Sequence, residues 1–403
     1  MYHIKNLNLY QQDYILTYIN KSLCMSSVEL TKEILKNLIA YESVSPSDGG
    51  AVEYVSSLLQ KNGFSVIIKE FGSGKDKTKN IYAYRGNQGD NLLFSGHLDV
   101  VPPGDISLWT SDPFKMIQKG EKLYGRGAVD MKSSIAAMLA SLINYSGEGK
   151  VSILLTSDEE IGGHNGAKQF LEYLEKQGHK FGYAIIGEPT SENDIGDTIK
   201  IGRRGSITFK LKIIGKQGHI AYPELADNPA TKIINILHEL VNMEIDKGNE
   251  YFPSSNLEVT TIDIANKADN IIPASAYAEF NIRFNNLKTS SELAENVEKI
   301  IQKYAVKYKL DKVASAEPFL SSKHIFTEQF RKIVSKICNT NPRMKTNGGT
   351  SDARFINNYV PIVEFGPLGK TAHQIDEHTE ISHLQKLYTV YYESVKSYHN
   401  STL

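Results

Sequence analysis

The chain has 403 residues, a length that favours two cores over one. Hydrophobic residues make up 40% and charged residues 23%, an ordinary soluble globular composition. With 45 basic and 46 acidic residues the net charge is −1, which removes any electrostatic reason to expect nucleic acid or an anionic membrane as partner. The cysteines Cys24 and Cys338 form no metal-type or redox-type pair, so the expected setting is a reducing cytoplasm. No run approaches the ~18–20 apolar residues needed to span a bilayer.

Residues 1–24 lack the apolar centre and small-residue cleavage site of a secretory signal. They read as an N-terminal extension or an artefact of start-site choice. After Met25, the positions Leu30, Ile34, Leu35 and Leu38 recur at helical spacing, so the catalytic fold is expected to begin there. The segment 71–80, FGSGKDKTKN, reads as a solvated loop. The runs at 91–96, 151–157 and 184–188 read as buried strands ending in turns. A helix over 131–145 separates the first two, with Ile135, Met138, Leu139 and Leu142 on one face. This alternation predicts an α/β fold: a mostly parallel sheet flanked by helices on both faces.

The rhythm changes after 201–206. Ile207, Phe209, Leu211 and Ile213 alternate strictly, and a helix (228–243), two strands (257–265, 276–284), a second helix (291–307) and a short strand near 311–316 follow. The order β-α-β-β-α-β is that of the split βαβ, ferredoxin-like sandwich, whose open edge can pair with a second copy. A helix (326–338) and a strand (361–365) then resume the α/β pattern. The expected organisation is a catalytic part, 25–204 and 318–403, interrupted by an inserted unit, 205–317.

Strand ends in an α/β sheet are where ligands for a hydrolytic metal concentrate. GHLDVVP places His97 and Asp99 at one such end, SDEEIGG places Glu159 and Glu160 at another, and GEP supplies Glu188. Asp130 opens a helix after YGRGAVD, and His373 follows the last strand. Asp130 alone also reads as a helix cap, and an isolated Glu-Glu pair as solvated charge. Taken together, these segments deliver acids and imidazoles to one sheet edge. A carboxylate can bridge two cations as one imidazole nitrogen cannot, so Asp130 is the expected bridge. His97 and Glu188 complete one metal, and Glu160 and His373 the other. Mixed nitrogen and oxygen donors without thiolate suit zinc, with cobalt or manganese as substitutes. Asp99 is expected to accept the other ring N–H of His97, and Glu159 is the candidate general base for the attacking water.

GHLDVVP, YGRGAVDMK, TSDEEIGG, IGEP and the late His373 resemble the co-catalytic zinc aminoacylase/carboxypeptidase metallohydrolase family, from about residue 27 to the C-terminus. Within it, IGRRGS (201–206), QGHIAYP (217–223), NIIP (270–273), NIRF (281–284) and GGTSDARF (348–355) are similar to the desuccinylases of succinyl-diaminopimelate. Acetylornithine deacetylases and aminoacylases share the metal motifs but usually not the RRGS and GGTSDAR pair. The resemblance implies a zinc-peptidase-like catalytic domain with an inserted dimerisation domain, a homodimer, and two divalent ions per subunit. It implies zinc, with cobalt possible in one site. It further implies hydrolysis of N-succinyl-LL-2,6-diaminopimelate to succinate and LL-2,6-diaminopimelate, a step toward lysine and peptidoglycan.

The resemblance also assigns His219 to the partner copy's site, stabilising the oxyanion, and Arg203, Ser206, Tyr222, Asn270, Arg283, Gly349 and Thr350 to the substrate. Each has a plainer alternative: a loop histidine for His219, ion pairs for the arginines, turns or packing for the rest. Two departures stand out. Gly369 replaces an Asn that some members carry four residues before the last histidine, and QIDEHTEI follows that histidine in place of a VNE form. Asp376 and Glu377 are expected as supporting loop acids, His378 and His383 as surface residues, and Trp109 and Phe114 as packing beneath the site. The alternative activities are a related N-acyl-amino-acid deacylase, such as acetylornithine deacetylase, or a dipeptidase. A catalytically silent metal-binding scaffold is disfavoured by Glu159.

Overall fold

The computed structural model describes residues 26–400; the expected extension at 1–24 lies outside them. The described residues divide into two compact units: 26–199 with 323–343 and 359–400, and 200–322 with 344–358.

In the first unit the strands Tyr183–Ile186, Gln88–His97 and Gly149–Thr156 run parallel, and Ile362–Glu364 joins Tyr183–Ile186 in the same sense. Thr78–Arg85 and Ser65–Phe71 extend the sheet antiparallel beyond Gly149–Thr156. Register places Tyr82, Leu154 and Ser95 on one face and Ala83, Ile153 and Phe94 on the other. Tyr82 meets Phe170 of the helix Ala167–Lys176, while Phe94 meets Tyr391 of the helix Ile381–Asn400. Helices therefore cover both faces. The helix Lys132–Asn144 is buried over Lys132–Leu142, on every side, because Ile381–Asn400 and Ser27–Ala40 pack around it.

The mostly parallel sheet and the flanking helices match the expected fold class. The segment 71–80 is an exposed loop over 72–77, as expected, and differs only at its end. Thr78 and Asn80 are buried in a strand, where Asn80 Oδ1 accepts the N–H of Ser157 at 3.1 Å and Asn80 Nδ2 donates to the Asn165 carbonyl at 3.2 Å. Polarity there signals a satisfied buried amide rather than exposure.

In the second unit Asn256–Asp263, Ser275–Phe284, Gly205–Ile214 and Tyr308–Ala316 form one antiparallel sheet in that order. The helices Pro229–Val241 and Ser290–Tyr304 pack on it. Strict alternation buries Phe209 against Phe280, rings stacked at 5.0 Å, with Ile233, Leu240, Val297 and Ile301 closing the core. Both helices start at built caps. Asn228 accepts the Ala230 N–H with Pro229 in the first turn, and Thr289 and Glu292 form a reciprocal capping box, each cap contributing about 1 kcal/mol.

The second unit also takes in Met344–Asn358, which hydropathy had grouped with the catalytic part. Polar ties explain it: Ile201 N–H donates to the Lys345 carbonyl at 3.0 Å, and Arg203 Nη1 to the Gly349 carbonyl at 3.0 Å. Short polar segments carry no hydropathy signal by which such ties are read. Among the described residues, no helix is long and apolar enough to cross a membrane.

Candidate metal centre

Two glycines explain how ligands can end their strands beside a helix. A Cβ on Gly96 would meet Met131 Cε at 2.3 Å, and one on Gly187 would meet Met131 Cε and Ser134 Cβ at 2.6 Å. Only bare backbone lets the strands lie so close to the start of Lys132–Asn144, and the next residue in each case is a site residue, His97 or Glu188. Asp130 is not a cap of that helix: the N-cap position is Met131, which makes no side-chain capping bond.

The acids and imidazoles converge. His97 Nε2 lies 3.2 Å from Asp130 Oδ1, and His373 Nε2 lies 3.3 Å from Asp130 Oδ2. His373 Nε2 is also 3.1 Å from Glu160 Oε1, and His97 Nε2 is 3.9 Å from Glu188 Oε1. The two oxygens of one carboxylate thus face different imidazoles, each with a further carboxylate beside it. Ligand atoms of His97, Asp130 and Glu160 all fall within 4.8 Å of one another. The chemistry of this donor set, imidazole nitrogens and carboxylate oxygens, fits small divalent ions.

Electrostatics follow the geometry. Burial disfavours charge on His97, but the hydrogen bond to Asp130 and the charges of Asp99 and Glu159 outweigh it and hold the imidazole above its ordinary range. His373, beside Asp130 and Glu160, is pushed up to about 10. Burial would raise Asp130, yet contact with His373 and His97 pulls it below the carboxylate range. In chemical terms, these acids demand positive charge.

Asp99 departs from its expected bond. His97 Nδ1 lies 2.9 Å from the Asp99 backbone carbonyl and 3.6 Å from its carboxylate. The carboxylate instead accepts the backbone N–H of Glu159 at 3.3 Å and of Glu160 at 3.2 Å, and the Ser45 hydroxyl. Peptide N–H groups at the start of a 3-10 turn attract it more than an imidazole whose ring nitrogen is already taken by a carbonyl. Asp99 therefore fixes the turn that presents Glu159 and Glu160. Burial raises its own pKa to about 6.

Glu377 carries more than sequence reasoning gave it. Fully buried, it accepts hydrogen bonds from Arg126 Nη1 (2.7 Å) and from the backbone of Gly127 (3.1 Å), Val129 (2.7 Å) and Asp130 (3.0 Å). The only sequence signal was an acid near a late histidine. Asp376 accepts the Thr110 N–H at 2.9 Å, and His373 and Asp376 both adopt left-handed backbone, with φ of 63° and 57°. Trp109 is buried and its Nε1 donates to the Pro103 carbonyl, while Phe114 is half-buried. His378 is half-buried rather than on the surface. Pairing of His378–Glu380 with Lys122–Tyr124 brings its ring to 4.8 Å from Tyr124. His383 is likewise half-buried. At Gly369 a Cβ would touch Pro189 only at ordinary distance, so the missing side chain is a loss of contact rather than relief of a clash.

The remaining site candidates lie in the second unit. Arg203 is bonded to Gly349, and Ser206 Oγ accepts Asn281 Nδ2 at 3.1 Å. Arg283 pairs in register with Ser206, and its charge, after burial, lowers the neighbouring Arg204. Tyr222 is 56% exposed, with its ring 5.6 Å from that of His219. His219 Nδ1 accepts the Ala221 N–H, and the Asn270 carbonyl accepts the Ile220 N–H. Gly349 is exposed and Thr350 half-buried.

A model of peptidase family M20/M25/M40 matches residues 93–397. A succinyl-diaminopimelate desuccinylase of Rickettsia bellii is 51% identical over 368 residues, covering 89% of this chain and 94% of the relative. An M20 family metallo-carboxypeptidase of Sulfolobus solfataricus superposes with a TM-score of 0.75 at 20% identity, over 91% of this chain and 99% of its own. A Bacillus subtilis protein described as a dinuclear metal-binding peptidase of the M20 family gives 0.66 at 14% identity, over 94% and 99%. These last two likenesses speak to the fold alone. Since the family model spans most of the chain and the acids and histidines at the strand ends fall within it, the chain belongs to peptidase family M20/M25/M40.

Proposed function

We propose that this protein hydrolyses N-succinyl-LL-2,6-diaminopimelate to succinate and LL-2,6-diaminopimelate. The observation that carries metal-dependent hydrolysis is the shared carboxylate: Asp130 faces His97 with one oxygen and His373 with the other. Substrate identity rests on the likeness to the Rickettsia desuccinylase and on a cationic segment suited to a polycarboxylate. His97, Asp130 and Glu188 would hold one ion, and His373, Asp130 and Glu160 the other. Donor chemistry favours zinc, with cobalt as the alternative in one site. When bound, such ions polarise the amide carbonyl and acidify water.

The chain's own groups do the rest. Glu159, in the turn fixed by Asp99, removes the proton of the attacking water and returns it to the departing amine. Arg203, Arg283, Ser206, Tyr222, Asn270, Gly349 and Thr350 bind the carboxylates and amine of the substrate. His219 from a second copy donates to the oxyanion. The exposed His219, and the exposed Ile234, Val241 and Ile262 on the helix and edge strand of the inserted unit, support a homodimer built through 205–317. Metal-reconstituted protein is to be assayed with succinyl-diaminopimelate, acetylornithine and a dipeptide panel. Turnover concentrated on the first supports the proposal, and equal turnover of all three defeats it. A monomeric mass in solution with full activity defeats the dimer.

A further inference from the structure

Arg126 and Glu377 form a sealed ion pair, 2.7 Å apart, with side-chain exposures of 2% and 0%. A buried pair of this kind costs desolvation that well-packed apolar residues would avoid, so stability alone does not account for it. Arg126 Nε is also buried without a hydrogen-bond partner among the described residues, a further cost to folding.

What the pair does hold is position. Glu377 Oε1 takes the backbone N–H of Val129 and Asp130, and Oε2 takes that of Gly127, so one carboxylate grips the whole turn that presents the shared ligand. Arg126 Nη1 donates to the Gln374 carbonyl at 3.2 Å, one residue past His373, and Nη2 reaches the Pro102 carbonyl at 3.4 Å in the loop that follows His97. The strands Lys122–Tyr124 and His378–Glu380 pair just outside these loops, and Gly125 N–H donates to the Glu377 carbonyl at 2.9 Å. Three ligand-bearing loops therefore share one buried clasp.

We propose that the Arg126–Glu377 clasp positions Asp130 so that its two oxygens serve two different cations, and that it thereby sets the affinity of the second ion. The proposal rests on the metal-pair reading above. Without the clasp, the 127–130 turn is free to rotate and Asp130 can offer both oxygens to the ion on the His97 side. That side keeps its own support, because His97 is oriented by the Asp99 carbonyl. Among the described residues His373 has no such bond to its other ring nitrogen, and its ring is faced by Asp130 and Glu160 alone. Arg126 and Glu377 are thus positioning residues that touch neither substrate nor reacting atoms.

The test is titration of Co(II) into metal-free protein, followed by calorimetry and by the visible spectrum of the bound ion. Wild type is expected to bind two ions. Glu377→Gln is expected to keep the first within about threefold and to weaken the second about 10- to 100-fold, with loss of the second ion's absorption band. Arg126→Lys, which keeps the carboxylate and a positive charge, is expected to lose second-ion affinity in the same direction by a smaller factor. If Glu377→Gln fails to melt cooperatively, Arg126→Lys decides: second-ion affinity equal to wild type overturns the clasp. Two ions bound alike by wild type and Glu377→Gln, with the same spectrum, overturns it as well. A wild type that binds a single ion overturns the metal-pair reading and the clasp together, which separates the two failures.

Discussion

His97 is buried and Asp130 nearly so, and buried groups help hold both: the Asp99 carbonyl faces His97 Nδ1, and the Glu377 carboxylate accepts the Asp130 N–H. In the second unit the residues proposed for substrate are arranged differently. Tyr222 is 56% exposed, Gly349 is exposed, and Arg203 is one of the few that is buried. The contrast suits what each region is proposed to hold. A multiply charged ion needs donors fixed in advance, since any rearrangement on binding subtracts from affinity. A flexible polycarboxylate is bound by groups that keep part of their hydration until it arrives. The first region is therefore expected to fail sharply on single changes, and the second to lose binding by degrees.

The largest effect expected from this contrast comes at Glu159. Its backbone N–H is fixed by Asp99, so Glu159→Gln changes the proton acceptor while leaving the turn in place. Turnover should fall about 10²- to 10⁴-fold with two ions still bound, as read by kcat alongside metal content. Near-normal kcat in a fully metallated variant would remove Glu159 from its role.

Much of this first region was legible in the sequence because His97 and Glu188 end or directly follow apolar runs that were easy to see, NLLFSGH and AIIGE, while Asp130, Glu160 and His373 stood in turns beside glycines or after a strand. Glu377 and the true bonds of Asp99 were not legible. Both act through backbone N–H groups, which every residue possesses and no motif advertises. The inserted sandwich was legible from strict period-two alternation in SITFKLKII, and its helix bounds differ from expectation only at the ends. The strands Ser65–Phe71 and Thr78–Arg85 and the helix Ile381–Asn400 carry mixed polarity, since each buries only a stripe or pairs its polar groups internally.

A smaller, graded effect is expected among the arginines, and it divides them. Loss of a charge-assisted hydrogen bond costs about 1.5–3 kcal/mol, so Arg283→Ala should raise KM roughly 10- to 100-fold with kcat and metal content little changed. Arg203 also donates to the Gly349 carbonyl, so Arg203→Ala should raise KM and, in addition, lower the melting temperature by loosening the 347–350 turn. If both variants lose kcat and metal to the same extent, the graded region is not distinct from the rigid one.

The smallest expected effect is a pH slope from the rigid region. Lys132, two residues after Asp130, is fully buried, and its amine donates to the carbonyls of Leu38 at 2.9 Å and Tyr41 at 3.1 Å. Burial lowers it from 10.5 to about 7, the charges of Glu377 and Asp99 resisting only in part. A neutral amine has two N–H donors for those two carbonyls, so deprotonation leaves neither bond unmade. Between about 7 and 10.5 the unfolded chain binds the proton that the folded chain has released, so stability rises with pH across that window. Below about 7 the group is charged in both states and contributes no slope. The melting temperature of metal-free protein should therefore climb as pH is raised above neutral, with a slope of at most about 1.4 kcal/mol per pH unit from this group. Lys132→Met should flatten the climb while leaving the acid side of the curve unchanged. An identical slope in wild type and variant would mean that the amine stays charged in the fold, and that the turn before Lys132–Asn144 tolerates a buried cation beside the metal centre.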